Sequence, residues 1–496
     1  MKIYAPNIHL YAFQLYKASN FYIESLTKEK IKLWHKANDI IKNTLQQPLN
    51  LTQSIIDIQH EPKGSRIDLI KPENVKDEDY SIPVYGEIHQ NNHNQNQQFL
   101  IKGFVYPIKI QDSYGLWLNL RRPEKDVDET SLTKYVDISL LTELNPQKCL
   151  TIIPKENHET NKLFLGQTLL ITAWLTQEHK LNQTKPYDIA QECLTAIFPN
   201  TDRKPEFNRQ GELFGSPIFE YGLFSQTENY QHIIIWLFRD RQADVNFNKC
   251  YQQLFDLFFF RCKIVKAFQD SRIIYHQIAA AYDDIENTIE QIKSNTQSDN
   301  LTTEILNQLT NKLKELSKES LKYTRLLRNL KDYQNTIDIN RNNYQEKLRQ
   351  INAATEEDNL SILEIFYKQD CQRFYEQINS DIGYFEQGLT LLEQAIASIR
   401  GIVEIEQAKR EERSLEAERK LERTVQILGI GFGGGAIVSG VVTQHIDKPF
   451  APINFKYPVH PLVLSLLWSL FATVIFGIVA WFVTKPKNSK SKEDTN

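Results

Sequence analysis

The spacing of apolar residues changes period along this chain, and each period predicts a different kind of element. IHLYAFQLY, residues 8–16, alternates and predicts a strand. ESLTKEKIKLWHKANDIIKNTL, 24–45, has the apolar face of an amphipathic helix. FLIKGFVYPIKI and LWLNL, separated by QDSYG, predict a hairpin whose turn Gly115 completes. CLTIIP and TLLITAWL read as strands, and YDIAQECLTAIF, 187–198, as a helix. HIIIWLF, 232–238, is apolar throughout, as a strand covered on both faces should be. The following helix, 249–268, carries Phe258 to Phe260 to dock on that sheet. Residues 89–98, HQNNHNQNQQ, predict an exposed loop. Residues 1–260 therefore form an α+β or α/β domain.

From residue 261 to 423 the pattern turns polar, nearly proline-free and heptad-like. Leu306, Leu309, Leu313, Leu316, Tyr323, Leu327, Leu330, Ile337, Tyr344 and Leu348 keep an alternating three-four spacing, with Ser320, Gln334 and Arg341 as polar seam positions that set register. Ile278 to Ile292 and Cys371 to Val403 repeat the rhythm. Polar breaks at 294–300 and 352–359 divide the stalk into three long helices running up, down and up. The last continues towards the C-terminus through the pairs Glu406 with Arg410 and Glu416 with Lys420.

ILGIGFGGGAIVSG, 427–440, contains the G-x-G-x-x-G spacing of a dinucleotide loop. That motif needs a strand before it, and a charged helix-forming run stands there instead. Residues 424–443 hold no Asp, Glu, Lys or Arg, and as a helix they extend ~30 Å, the thickness of a hydrocarbon core. Residues 462–483 form a second uncharged run. The expectation is a two-helix membrane hairpin: spans at 424–443 and 461–484, an external loop at 444–460 and a basic tail at 485–496. Gly429, Gly431, Gly433, Gly435 and Ser439 place small residues four apart for close helix contact, with a helix of the same chain or of another copy. Arg410, Arg413, Arg419, Lys420 and Arg423 before the first span, and four lysines after the second, predict cytoplasmic termini and an inner- or plasma-membrane location.

Composition narrows the chemistry. The formal net charge of -4 gives no reason to expect nucleic acid as a partner. Five scattered cysteines without a C-x-x-C pair predict buried thiols in a reducing compartment, and the first residues lack the apolar core of a cleaved signal. No Walker lysine, G-x-S-x-G or H-E-x-x-H motif is present, so no catalytic residue is proposed. His89 and His93 are four apart, a metal-binding spacing only on a helix. Asp240 and Arg241 stand just past the apolar strand, where α/β folds place ligands. Arg121 and Arg122, at another strand end, offer a grip for an anion.

A cytosolic α/β domain, a helical stalk, two C-terminal spans joined by a short outside loop, and a basic tail together resemble the CorA family of magnesium transporters. The resemblance spans the whole order of elements. It implies a divalent cation as cargo, with His445 and Asp447 in the loop as candidate polar groups. The family's Gly-Met-Asn signature is missing, because the only methionine is Met1. The leading expectation is a membrane-coupled sensor, effector or scaffold, with the bilayer as partner and self-association through stalk and first span. A CorA-like channel and a membrane-tethered enzyme are the alternatives.

Overall fold

The computed structural model describes residues 1–15, 32–56, 66–75, 79–92, 95–126, 131–152, 163–180, 185–199, 204–225, 230–295, 302–356, 359–444 and 461–484. Two compact units share the chain: Met1–Glu286 with Glu319–Leu391, and Asn287–Lys318 with Leu392–Asn496.

The first unit is built on one ten-stranded sheet. Its strands are β1 (Lys2–Leu15), β2 (Arg66–Asp68), β3 (Ile82–Asn92), β4 (Gln95–Ile110), β5 (Ser113–Arg121), β6 (Val136–Asp137), β7 (Phe164–Trp174), β8 (Phe207–Leu213), β9 (Ser216–Tyr221) and β10 (His232–Phe238). The spatial order is β2-β4-β5-β1-β7-β10-β9-β8, with β3 on β4 and β6 on β1. Among the described residues only β7 and β10 pair in parallel and the other pairings are antiparallel, which makes the fold α+β.

Both faces of the central strands are covered. On β1, Ile8, Leu10 and Ala12 join a core with Trp34, Ala37 and Ile40 of helix α1 (Lys32–Leu45) and Ile189, Ala190 and Cys193 of α2 (Lys185–Ile197). The alternate residues His9, Tyr11 and Phe13 meet the aromatic side of α3 (Arg241–Asn295), where Phe247, Phe255 and Phe259 lie 5.1 to 5.4 Å from their rings, centroid to centroid, or within 5.9 Å for Tyr11. A strand with two covered faces loses the apolar-polar alternation of a half-exposed strand, which is why HIIIWLF carries no period.

Three local expectations are corrected. Residues 89–92 and 95–98 do not form a loop: β3 and β4 continue as a ladder that pairs His89 with Gln98 and Gln90 with Gln97. Backbone pairing here overrides the polar composition. CLTIIP forms a turn and irregular chain up to Ile152, the last described residue before 163, because Asn145 anchors it by accepting the Leu150 N–H at 2.9 Å. Gly115 lies inside β5, not in the turn, which Gln111 makes at φ 50. A Cβ on Gly115 would stand 2.8 Å from the Phe255 ring, so close packing against α3 requires the glycine there.

Helices α4 (Thr303–Thr355) and α5 (Cys371–Gln444) follow α3, and the breaks fall where the polar stretches predicted them. In the first unit the seam positions Tyr323, Leu327, Leu330, Ile337, Tyr344 and Leu348 are buried, as are Phe374, Ile378 and Phe385 of α5. Phe268 of α3 stacks on Phe374 at 4.0 Å, and Tyr323 donates to the Phe385 carbonyl at 2.8 Å. The division between the two units falls within the stalk helices, and α3 is both a covering layer of the sheet and a stalk helix. A single π-turn, Phe366–Asp370, precedes α5.

In the second unit α5 continues through the uncharged run to Gln444, and α6 (Pro461–Val483) follows. Among the described residues one helix, Ser465–Val483, is long and apolar enough to cross a membrane. Gly431 and Gly435 face it. A Cβ on Gly435 would fall 1.9 Å from Thr473 Oγ1, and Ser469 donates to the Gly435 carbonyl at 3.0 Å. Gly429 and Gly433 have open space beside them. Small residues therefore pack against α6 of the same chain on one stripe only.

Candidate functional site

A cleft of about 840 Å³ opens where β7 and β10 end, at Trp174 and Phe238, beside the first turns of α3. Crevices beyond the carboxyl ends of parallel strands are where α/β sheets place ligands. The backbone is irregular at this point. Ala5, which lines the cleft, has φ 46, and the β1–β7 register shifts between Tyr4 and Asn7. Bulges and left-handed non-glycine residues concentrate beside functional sites.

The polar centre of the cleft is His9. Its Nδ1 receives the Trp117 indole N–H at 3.2 Å and lies 3.1 Å from the Asn119 amide nitrogen, residues that cross-strand register sets opposite or diagonal to it. Because the indole only donates, Nδ1 is the acceptor and the proton sits on Nε2. Burial, and secondarily Arg121, pushes the imidazole pKa down to about 3, so His9 is neutral. That Nε2 is buried and has no hydrogen-bond partner. Asn119 Nδ2 also reaches the Ile8 carbonyl and the Asn7 side chain, which fixes its amide orientation.

Around this centre stand aromatic and charged side chains. Trp117 packs edge-on with Phe104 at 4.9 Å and tilted against Tyr251 at 5.6 Å. Tyr80 and Tyr251 remain 41% and 37% exposed, so their rings face the open space. Arg122 lays its guanidinium over Phe99 at 4.8 Å, and its Nη1 is buried without a partner. Burial lowers the Arg122 pKa against the pull of Asp126. No ion pair joins Arg121, Arg122 or Lys125 to another described residue. Three of the four acids that line the cleft are engaged: Asp68 accepts from Tyr106, Asp79 from the Ser81 N–H, and Asp244 from Asn248, while Glu124 is the fourth. Burial, with Glu124 nearby, raises the Asp244 pKa.

The residues singled out from sequence separate. Arg121 and Arg122 line the cleft. Asp240 does not: its carboxylate accepts the Gln242 N–H at 3.0 Å and caps α3, and Arg241 is that helix's first residue. Asp244, one turn further on, takes the place in the cleft. His89 sits in β3, while His93, His445 and Asp447 lie outside the described residues. Among the described residues no group of three or more His, Cys, Asp or Glu side chains is arranged to hold a metal. All five cysteines are buried and unbridged. His9, Asn119 and the tyrosines were not anticipated. The signal for two of them lay in NIHLY, where Asn7 and His9 alternate within an otherwise apolar strand.

A second polar cluster lies on the same face of the sheet, under α3. Arg261 donates to Glu220 at 2.7 Å, to Tyr230 at 3.1 Å and to His232 Nδ1 at 3.2 Å. His232 Nδ1 also meets Thr168 Oγ1 at 2.8 Å, and its Nε2 lies 3.4 Å from Glu220. Arg209 bridges Glu220 to Asp370, in the π-turn, and Phe366 of that turn stacks under Arg261 at 4.2 Å. Burial opposes the charge on Glu220, but Arg261, His232 and Arg209 hold its carboxyl well below the usual range. The chain matches no protein-family model and no curated protein sequence.

Proposed function

We propose that this chain is an integral membrane protein whose N-terminal unit binds a small organic ligand and communicates its occupancy through the helical stalk to a two-span hairpin, with both termini cytoplasmic. The observation that carries the reading is the cleft at His9, which combines unpartnered buried donors with exposed aromatic rings. Its volume lies within the ~300–1,000 Å³ typical of small-molecule sites. Support for the membrane part comes from the exposed apolar side chains of α6, among them Leu466, Leu470, Phe471 and Ile478, and from Leu428, Phe432 and Ile437 at the end of α5. A helix shared by both units, α5, is the element through which a change at the first would be passed on.

Two measurements test this. Membranes carrying the full-length protein, washed with alkaline carbonate, should retain it, and a Leu470→Arg, Phe471→Arg variant should be lost from them, since each central arginine costs ~2.5–3.5 kcal/mol. Recovery of the unaltered protein in the wash would sink the membrane part. A set of small metabolites should include one that raises Tm in the full-length protein but not in Tyr251→Ala. A set in which no shift depends on Tyr251 would sink the binding part.

The unbroken run of α5 into the uncharged segment also suits a CorA-like conduit for divalent cations. Two spans per chain enclose no pore, so that reading requires a closed ring. Light scattering of the protein in mild detergent tests it, and a monomer or dimer rules it out.

A further inference from the structure

We infer that the His9 cleft takes a nucleoside monophosphate, with its base on the tyrosine rings, its phosphate at Arg121 and Arg122, and its ribose hydroxyls at Asp68 and Asp79. The inference rests on the reading of the cleft as the ligand site and adds the chemistry of the occupant. Four features have to be met together. Tyr80 and Tyr251 are more than one-third exposed inside a cleft, which suits a planar ring, and base–aromatic stacking contributes ~1–3 kcal/mol per base. Arg121 and Arg122 make no ion pair among the described residues, although Asp126 and Asp244 act on them at longer range, and one Arg122 nitrogen is buried without an acceptor, so the pair has capacity for an anion. A phosphate satisfies a guanidinium by paired charge-assisted hydrogen bonds.

The acids discriminate further. Asp68 and Asp79 each already accept one hydrogen bond and retain further lone pairs. Carboxylates in that state repel a second anion but accept from hydroxyls, which a ribose supplies and an aromatic carboxylic acid does not. The buried His9 Nε2–H then finds its acceptor in a ring nitrogen or carbonyl of the base once the base displaces the side chains that cover it. An unmade bond to a buried donor costs ~1–3 kcal/mol, so a ligand that makes it recovers that amount. A sugar alone offers no anion to the arginines, and inorganic phosphate offers no ring to the tyrosines.

The test is isothermal titration of full-length protein in mild detergent with the four common nucleoside 5′-monophosphates, with the corresponding nucleosides, and with inorganic phosphate. At least one monophosphate should bind below millimolar Kd, with its nucleoside and phosphate each at least ~10-fold weaker, the loss expected for one charge-assisted contact. Tyr80→Ala and Tyr251→Ala alter exposed side chains and should weaken binding while leaving Tm unchanged; Arg121→Gln should do the same. Failure of every monophosphate overturns the inference, as does binding that none of these substitutions weakens. Binding of another class of molecule, lost in Tyr251→Ala, would overturn the nucleotide assignment and leave the cleft as a ligand site. A cleft that takes no probe at all would remove both.

Discussion

His9 and His232 occupy comparable places and have opposite surroundings. Each stands on a central strand, each faces α3, and each is about 3% exposed. Burial, and then a nearby arginine, keeps both neutral, with pKa values near 3 and near 4. In both, Nδ1 accepts and Nε2 carries the proton. His232 delivers that proton towards Glu220, in a cluster where Arg261, Arg209, Tyr230 and Asp370 satisfy one another. His9 delivers it to nothing. Satisfaction marks the first cluster as a structural clamp between the edge of the sheet and the π-turn ahead of α5. The unmet donor beside a cleft marks the second as a place for an acceptor that the protein does not supply.

The comparison can be broken at the clamp first. Glu220→Gln leaves Arg261 and Arg209 with reduced countercharge in a dry interior and should cost ~3–5 kcal/mol in urea unfolding of the full-length protein. A loss below 1 kcal/mol would mean that solvent reaches the cluster, and the contrast with His9 would fail.

Acid tests both histidines at once. The folded pKa of each lies below the unfolded value of 6.5, so their contribution to stability is complete above that value and declines as pH falls towards 4 for His232 and 3 for His9. At pH 5 each should have lost ~2 kcal/mol, with a slope of ~1.4 kcal/mol per pH unit per histidine. Glu220, whose own pKa is lowered, adds to the acid loss once pH falls through the unfolded carboxylate value of 4.5, and the loss continues down towards its folded value. Substituting either histidine by glutamine should remove one proton from the slope between pH 6 and 5. An unchanged slope in either variant would show that imidazole to be solvated.

The smallest effect belongs to the rim of the cleft. Arg121→Gln changes an exposed side chain without an ion pair and should leave stability within ~0.5 kcal/mol. A larger loss would place Arg121 in the scaffold and weaken its assignment to a ligand.

Much of the architecture was legible because it follows from period. The apolar run 232–238 became β10 at those bounds, the heptads became α4 with its seam buried, and the polar breaks fell at the helix ends. The errors have particular causes. The Asn/Gln residues at 89–92 and 95–98 lack every apolar cue of a strand, and only their pairing with each other shows why they are extended. Gly115 had the composition of a turn but was needed for clearance from Phe255. Asp240 follows a strand, where α/β folds place ligands, yet a carboxylate there also caps the helix that begins at Arg241.

By itself, then, the sequence determined most of the helices and strands, the heptad seam of the stalk, and that an uncharged helix lies near the C-terminus, because these depend on residues within one or two turns of each other. Tertiary structure alone decided that His9, Asn119, Tyr80, Arg122 and Tyr251 share one cleft, since cross-strand register and the docking of α3 bring together residues far apart in the chain. It also decided which of two buried histidines is satisfied. That distinction depends on Glu220 standing beside one imidazole and on no counterpart standing beside the other, and no local pattern encodes it.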